Sequence, residues 1–549
     1  MKKAFCVLPS FQNTSPRLRL VCRCQRWYSD DSKKDDTGAS RDAARAQMDE
    51  AKRLAKESSK QKAPKFDDFG PIYRPTYVPD DPLTADPTKR AIKVLKHQGW
   101  ELWDAIRGRS PGPGWREARI FPQFCDTLII GGGIMGSVVA YYLKEKIPEA
   151  LNIVVVEKDP TYQHAASTNS MGTIRVQFSQ PENVKAALYG AEFLRTMKEK
   201  LNVYADEPDD VKFNPQGFLF LGTEADVPQM KINHEMQIEC GAKVALMTPG
   251  RLAARYPWMN LEDIALASYG LEQEGWYDTW KLLYALKKKN LSMGIHYVDG
   301  EVIGFENDNQ WGDFPEHYIS GAGGQKFQRM VRAKVKTHNH GEQRIQFSQA
   351  VIAAGHEAAQ ICELLGIGKP QPGIRVIQCP IEKRKRYIYM FHCPEGPRLS
   401  FPILVDPNGL YVRREGINGM YMCSYTPRSN QQEPDPDDPN SGEEFFNNVL
   451  WPKLVYRAPV FSKLKLRGSW HTFYDYNYFD QTGIVGPHPY YFNISFACGF
   501  SGYGIQHAPA VGHALGELLY EMKYVDIDMT KFEFERFLQY DVVKEVVIV

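Results

Sequence analysis

The residues best suited to chemistry begin at position 126. Residues 126–130 form a short apolar strand, and Gly131-Gly132-Gly133-Ile134-Met135-Gly136 follows, leading into a helical pattern over 137–144. A second apolar strand, 153–156, ends at Glu157, 21 residues past the last glycine. This is GxGxxG in a β-α-β setting, with an acid at the offset a dinucleotide needs. Gly131 permits the tight turn, Gly133 lets the backbone approach a pyrophosphate, and Gly136 lets the helix pack close to the strand. The unpaired N–H groups at the helix start, around Ile134 and Met135, favour phosphate. Glu157 accepts hydrogen bonds from the ribose hydroxyls and disfavours a 2′-phosphate, because two negative charges would meet.

NAD and FAD share this fingerprint, so later segments must separate them. Residues 349–353 are a buried strand running into Ala354-Gly355, a small-residue turn before a helix. Near the C-terminus, strand 492–497 precedes Gly499-Phe500-Ser501-Gly502-Tyr503-Gly504-Ile505-Gln506, and an apolar-faced helix covers 506–522. A glycine-rich turn at a helix N-terminus aims positive potential at an anion. In a flavoprotein that anion is the N1–C2=O region of the reduced flavin. A nicotinamide dehydrogenase has no need of this second site.

Around this core the chain has other parts. It has 549 residues, enough for two domains plus appendages, and a formal net charge of +1. Residues 1–29 carry Lys2, Lys3, Arg17, Arg19, Arg23 and Arg26 and no acid. That pattern predicts a mitochondrial transit peptide. The remaining 61 basic and 66 acidic residues leave no basic stripe for nucleic acid. Segment 30–119 is an extension with an amphipathic helix predicted over 88–107, and the polar insert 427–443 is a further candidate for partner contact. Ten cysteines without a CxxC pair fit scattered thiols in a reducing compartment and no metal site. The sequence holds no apolar run near 18 residues, so a spanning helix is not expected.

Taken together, GGGIMG, VVVEK, GLEQEGWYDTWKL, VIAAGHEAA and GFSGYGIQHAPAVG resemble the FAD-dependent amino-acid oxidoreductases of the glycine/D-amino-acid oxidase type, over roughly 120–525. The motifs RKRYIYMFHCPEG, YVRREG, EPDPDDP and FYDYNYFDQTGIVGPHP are most similar to a mitochondrial branch of that family linked to assembly of respiratory complex I. The resemblance implies an α/β fold: a doubly wound, Rossmann-type FAD-binding domain (120–200, 280–370 and 476–525) with an inserted antiparallel-sheet substrate domain (201–279 and 371–475). Residues 526–549 are left as a C-terminal tail. Residues 218–221, 387–391 and 409–413 fit strands of the inserted sheet.

The resemblance also implies roles. The family transfers a hydride from a C–H bond beside an amine to flavin N5. Arg175 aligns with the arginine that grips the substrate carboxylate, with Arg413 and Arg414 as alternatives. Gln506 stands where a relative has a carboxylate-binding lysine, and Tyr503 replaces the commoner histidine. Both departures weigh against ordinary sarcosine oxidase activity. Lys158, Thr168 and Val302 are implied cofactor contacts, with Val302 beside adenine. Tyr387, Tyr389, Tyr411, Tyr474 and Tyr476 are candidate pocket walls. Relatives attach FAD through cysteine or histidine; Cys423 and His164 lie near those positions without coinciding, so non-covalent FAD is expected. No oxygen-activating lysine is identifiable, which favours a dehydrogenase. The expected setting is the mitochondrial matrix, at or near the inner membrane, with complex I subunits or assembly intermediates as partners and a small amino-acid-like substrate. The competing reading is an FAD-containing assembly factor without turnover.

Overall fold

The computed structural model describes residues 121–545, except 149, 204–206, 308–328, 339–340, 371–375, 428–432 and 439–441. The leader, the extension 30–119 with its helix at 88–107, and residues 546–549 lie outside the described residues. So does part of the insert 427–443.

The first sheet has five parallel strands in the spatial order His296–Asn307, Ile153–Glu157, Phe124–Ile130, Gly341–Ile352, Ile494–Cys498. The antiparallel strand Ile484–Pro487 closes one edge. The strand ends of 296–307 and 341–352 run past the parallel region and pair with Met330–Thr337 in an antiparallel meander. Side chains alternate across a strand. Leu128, Ile130, Val154, Val156, Ala350 and Ile352 therefore build the core on one face, against the helix Ala358–Leu365. Ile129, Ile153, Val155 and Val351 build the other, against the helices Ile134–Lys146 and Gly504–Glu521. Strands buried on both faces explain the unbroken apolar runs in the sequence.

The second sheet has eight strands, in the order Lys465–Asn477, Ile381–His392, Met420–Tyr425, Leu410–Glu415, Ile403–Val405, Phe218–Gly222, Leu266–Gly270, Val244–Met247. It is antiparallel except at one seam, where Ile403–Val405 runs parallel to Phe218–Gly222. The expected antiparallel sheet thus carries one parallel seam. The two strands come from pieces of chain separated by much of the first sheet, so no hairpin fixes their relative direction. An aromatic cluster of Phe391, Phe401, Tyr421 and Phe461, with ring centroids 5.0–5.8 Å apart, fills one face of this sheet.

Within the segment read from sequence as a tail, part of 526–545 packs into the core. Phe534 and Phe537 pack under the first sheet. Arg536 forms a buried two-pronged pair with Asp480, at 2.7 and 3.1 Å. Among the described residues no helix is long and apolar enough to cross a membrane.

Candidate functional site

A cavity of about 1310 Å³ lies where the parallel strands end against the second sheet. That exceeds the roughly 300–1,000 Å³ usual for a drug-sized ligand and leaves room for a large cofactor beside a small substrate.

One end is built by the fingerprint turn. Gly131 has φ +103°, and a Cβ there would lie 2.4 Å from the Ala353 carbonyl oxygen. A Cβ on Gly136 would lie 1.9 Å from the Gly131 oxygen. Strand, turn and helix are thus held at a separation only glycine permits. No side chain caps the helix at Gly133, so its first N–H groups face the cavity wall formed by Gly131, Gly133 and Met135. One of them is satisfied: Ile134 N–H donates to Ser167 Oγ at 3.2 Å. Glu157 accepts from Gly132 N–H at 2.7 Å and from Asp159 N–H at 2.9 Å, which fixes its carboxylate at the cavity edge. Burial pushes that carboxyl upward. A pyrophosphate cradle, a helix N-terminus and an oriented acid fit the phosphates and ribose of a dinucleotide.

Val302, Ala354 and Gly355 line the neighbouring wall. Nothing lies within 4 Å of a Cβ built on Gly355, so that position opens onto the cavity. Lys158 bridges Glu301 at 3.1 Å and Glu357 at 2.8 Å across the rim. Its ammonium is committed to those carboxylates. Thr168 is a correction: it does not line the cavity, because its hydroxyl donates to the Tyr162 and Ala165 carbonyls at 2.7 and 3.1 Å. Its neighbour Ser167 lines the wall instead. Ile134, Gly136 and Gly499 also act behind the wall, by packing.

The second glycine-rich turn closes the middle. Phe500, Ser501, Gly502, Tyr503, Gly504 and Ile505 line it, and no side chain caps the helix that starts at Gly504. Its first N–H groups are therefore available to an anion. Asp475, which sequence reasoning missed, accepts the N–H groups of Gly499 and Phe500 and sets the turn's shape. Burial pushes its carboxyl up to about 6. An acid between aromatics in a strand was the available signal.

The far end holds Arg175. Its guanidinium lies 4.7 Å from the Phe178 ring centroid and 5.2 Å from that of Phe220. Among the described residues no carboxylate lies within ion-pair distance of it. Desolvation lowers its pKa, partly offset by the field of Glu545. Gln506 also reaches the wall, but its Oε1 accepts the Arg175 N–H at 2.7 Å. It positions the Arg175 backbone from the place where a relative has a carboxylate-binding lysine. Tyr503 donates its hydroxyl to the Gln481 carbonyl. Arg413 and Arg414 are buried and committed elsewhere: Arg413 to Met171 O at 2.8 Å, Arg414 to Gly416 O. Tyr411, Tyr474 and Tyr476 line the cavity; Tyr387 and Tyr389 pack in the second sheet's core. Cys423 is fully buried in that core, while His164 is exposed on the cavity wall. Glu545 was also missed: its carboxylate accepts from Ser179 N–H and from Asn183 Nδ2 at 2.7 Å. No local pattern could place a C-terminal residue there.

A buried carboxylate behind Arg175 yields a pH test. Glu274 accepts from Val176 N–H at 3.0 Å and Phe218 N–H at 2.8 Å, and burial raises it from 4.5 to about 7. Between those values the native state holds a proton the unfolded chain has lost. Stability therefore falls as pH rises through that window. In Glu274→Gln the fall in melting temperature from pH 4.5 to 7 flattens. A profile parallel to the parent's would refute the assignment.

Residues 126–518 match the family model described as FAD dependent oxidoreductase. The chain belongs to that family. Its cofactor is FAD. Among relatives of this FAD-dependent oxidoreductase, the chain is 43% identical over 446 residues to bovine (Bos taurus) FAD-dependent oxidoreductase domain-containing protein 1, covering 80% of this chain and 90% of the bovine protein. It is 37% identical over 422 residues to the Drosophila melanogaster homologue, covering 76% and 79%. The fold is shared with L-proline dehydrogenase from P. horikoshii, with a TM-score of 0.62 and 22% identity, over 77% of this chain and all of that one.

Proposed function

We propose that this flavoprotein oxidises an N-methyl or secondary amino acid in the mitochondrial matrix and is required there for assembly of respiratory complex I. The observation that carries the enzymatic part is Arg175: a desolvated guanidinium on the wall of the FAD cavity, without a carboxylate partner among the described residues. A half-buried guanidinium that feels carboxylates such as Glu545 and Glu274 only at a distance is stabilised when a ligand supplies a carboxylate in direct contact. A forked cation suits a carboxylate. FAD supplies the hydride acceptor, N5. The chain's own residues do the rest. Arg175 holds the carboxylate, Gln506 fixes its backbone, and Phe178 and Phe220 keep water from the guanidinium. The basic, acid-free leader supports the matrix, and the second-half motifs support the complex I role and a peripheral place at the inner membrane.

A second reading, an FAD-containing assembly factor without turnover, is favoured by Gln506 and Tyr503, whose Oε1 and hydroxyl are bonded to the protein's own backbone. Anaerobic addition of sarcosine or dimethylglycine to the holoprotein separates the two. Bleaching of the flavin bands is expected, slowed at least tenfold in Arg175→Gln with FAD content unchanged. Retained FAD that no N-methyl amino acid bleaches would reject the dehydrogenase and favour the assembly factor.

A further inference from the structure

The same cavity has a second cationic wall that the reading above does not use. Arg384 and Arg386 lie two residues apart on the strand Ile381–His392, so both side chains leave one face. Both line the cavity, with Tyr474 and Tyr476 of the neighbouring strand. The Arg384 guanidinium sits 3.3 Å from the Tyr476 ring centroid, and that of Arg386 lies 5.0 Å from the Tyr474 centroid. Stacking on rings fixes the planes of both forks.

One carboxylate is held between them. Glu433 accepts from Arg384 Nη1 at 3.0 Å and from Arg386 Nη2 at 3.1 Å and Nη1. Glu433 belongs to the acidic insert, not to a strand or helix. The insert is also tied down by Lys385 Nζ, which donates to the Asp438 carbonyl. The other charges nearby are engaged. Glu382 pairs with Arg384, Asp475 is taken by Gly499 and Phe500 N–H groups, and Lys383 lies 4.0 Å from the Phe473 ring centroid. The two arginines thus form a bidentate carboxylate receptor, filled by a side chain on a loop.

We propose that the substrate of this cavity carries a second carboxylate, which displaces Glu433 from Arg384 and Arg386 while Arg175 holds the first. The substrate class is a dicarboxylic secondary or N-methyl amine. Glu433 thus acts as a built-in competitor for the two guanidinium groups, which a singly charged amino acid does not displace. This rests on the assignment of Arg175 to the first carboxylate. A ligand must compete with a tethered side chain, so removing that side chain's charge strengthens dicarboxylate binding.

The test uses the full-chain holoprotein and reads perturbation of the flavin visible spectrum. Succinate, glutarate and adipate, which scan the span between the two sites, are each titrated against butyrate, which has one charge. At least one dicarboxylate is expected to bind tenfold or more tightly than butyrate. Arg384→Gln/Arg386→Gln brings that ratio to about one, and Glu433→Gln raises it at least threefold. Three dicarboxylates no tighter than butyrate would overturn the proposal, with butyrate binding itself still supporting Arg175. If the double variant does not fold, an unchanged ratio in Glu433→Gln overturns it equally. Failure of butyrate and all three dicarboxylates to bind would sink both readings.

Discussion

Replacing Gly136 with alanine yields a folded protein that purifies without FAD. The added Cβ would lie 1.9 Å from the Gly131 carbonyl oxygen and 3.2 Å from the Ile129 side chain. Neither the turn nor the strand end can move without shifting the phosphate cradle, because Gly131 is itself pressed on Ala353. The helix must slide outward and withdraw its N–H groups from the pyrophosphate. A loss of at least ~100-fold in FAD affinity follows, about 2.8 kcal/mol. The ratio of flavin to protein absorbance after gel filtration measures it. Gly250→Ala is the control, since nothing lies within 4 Å of its Cβ. Parent-like flavin content in Gly136→Ala would show that the turn does not seat the cofactor.

The largest stability effect belongs to Asp406. Arg457 is fully buried, as is Asp406, and its Nε donates to the Asp406 carboxylate. Its other nitrogens reach Asp263 at 2.9 and 3.0 Å and the Asn260 carbonyl. This network joins two stretches of the second sheet's chain that are far apart in sequence: the loop at 260–263 and the turn at 406–409. Asp406→Ala strands a buried guanidinium with one half-exposed partner. The expected cost is about 3–5 kcal/mol, read from the denaturant midpoint. Asp406→Leu/Arg457→Met recovers a large part of it, since replacing a whole buried pair by apolar groups is often close to neutral. No recovery in the double variant would mean that the pair specifies the local packing rather than merely neutralising itself.

The dinucleotide end of the site was legible in the sequence because its causes are local. Turn, helix start and acid lie within 27 residues, Gly131 and Gly136 make the close approaches their spacing implies, and Glu157 lies on the cavity wall. The parallel strands were legible for a related reason: burial on both faces writes unbroken apolar runs. The substrate end was only partly legible. Arg175 was singled out, and it lies on the cavity wall. Gln506 was read as a departure from a relative's lysine, and only the structure shows its Oε1 accepting the backbone N–H of Arg175, 331 residues away. Thr168 was chosen where Ser167 faces the cavity, because one residue in a short helical turn decides which side a hydroxyl takes.

By itself, then, the sequence determined the dinucleotide end of the fold, which follows from residue type and short-range spacing, while Arg175 was singled out among three arginines by family resemblance. Only the tertiary structure decided what meets that cation. It brought Glu545 from the C-terminus to the cavity wall, set Asp475 under the glycine-rich turn, and closed Glu433 over Arg384 and Arg386. Those contacts join segments separated by 24 to 362 residues, and a charge pattern along a chain carries no information about pairings at that range.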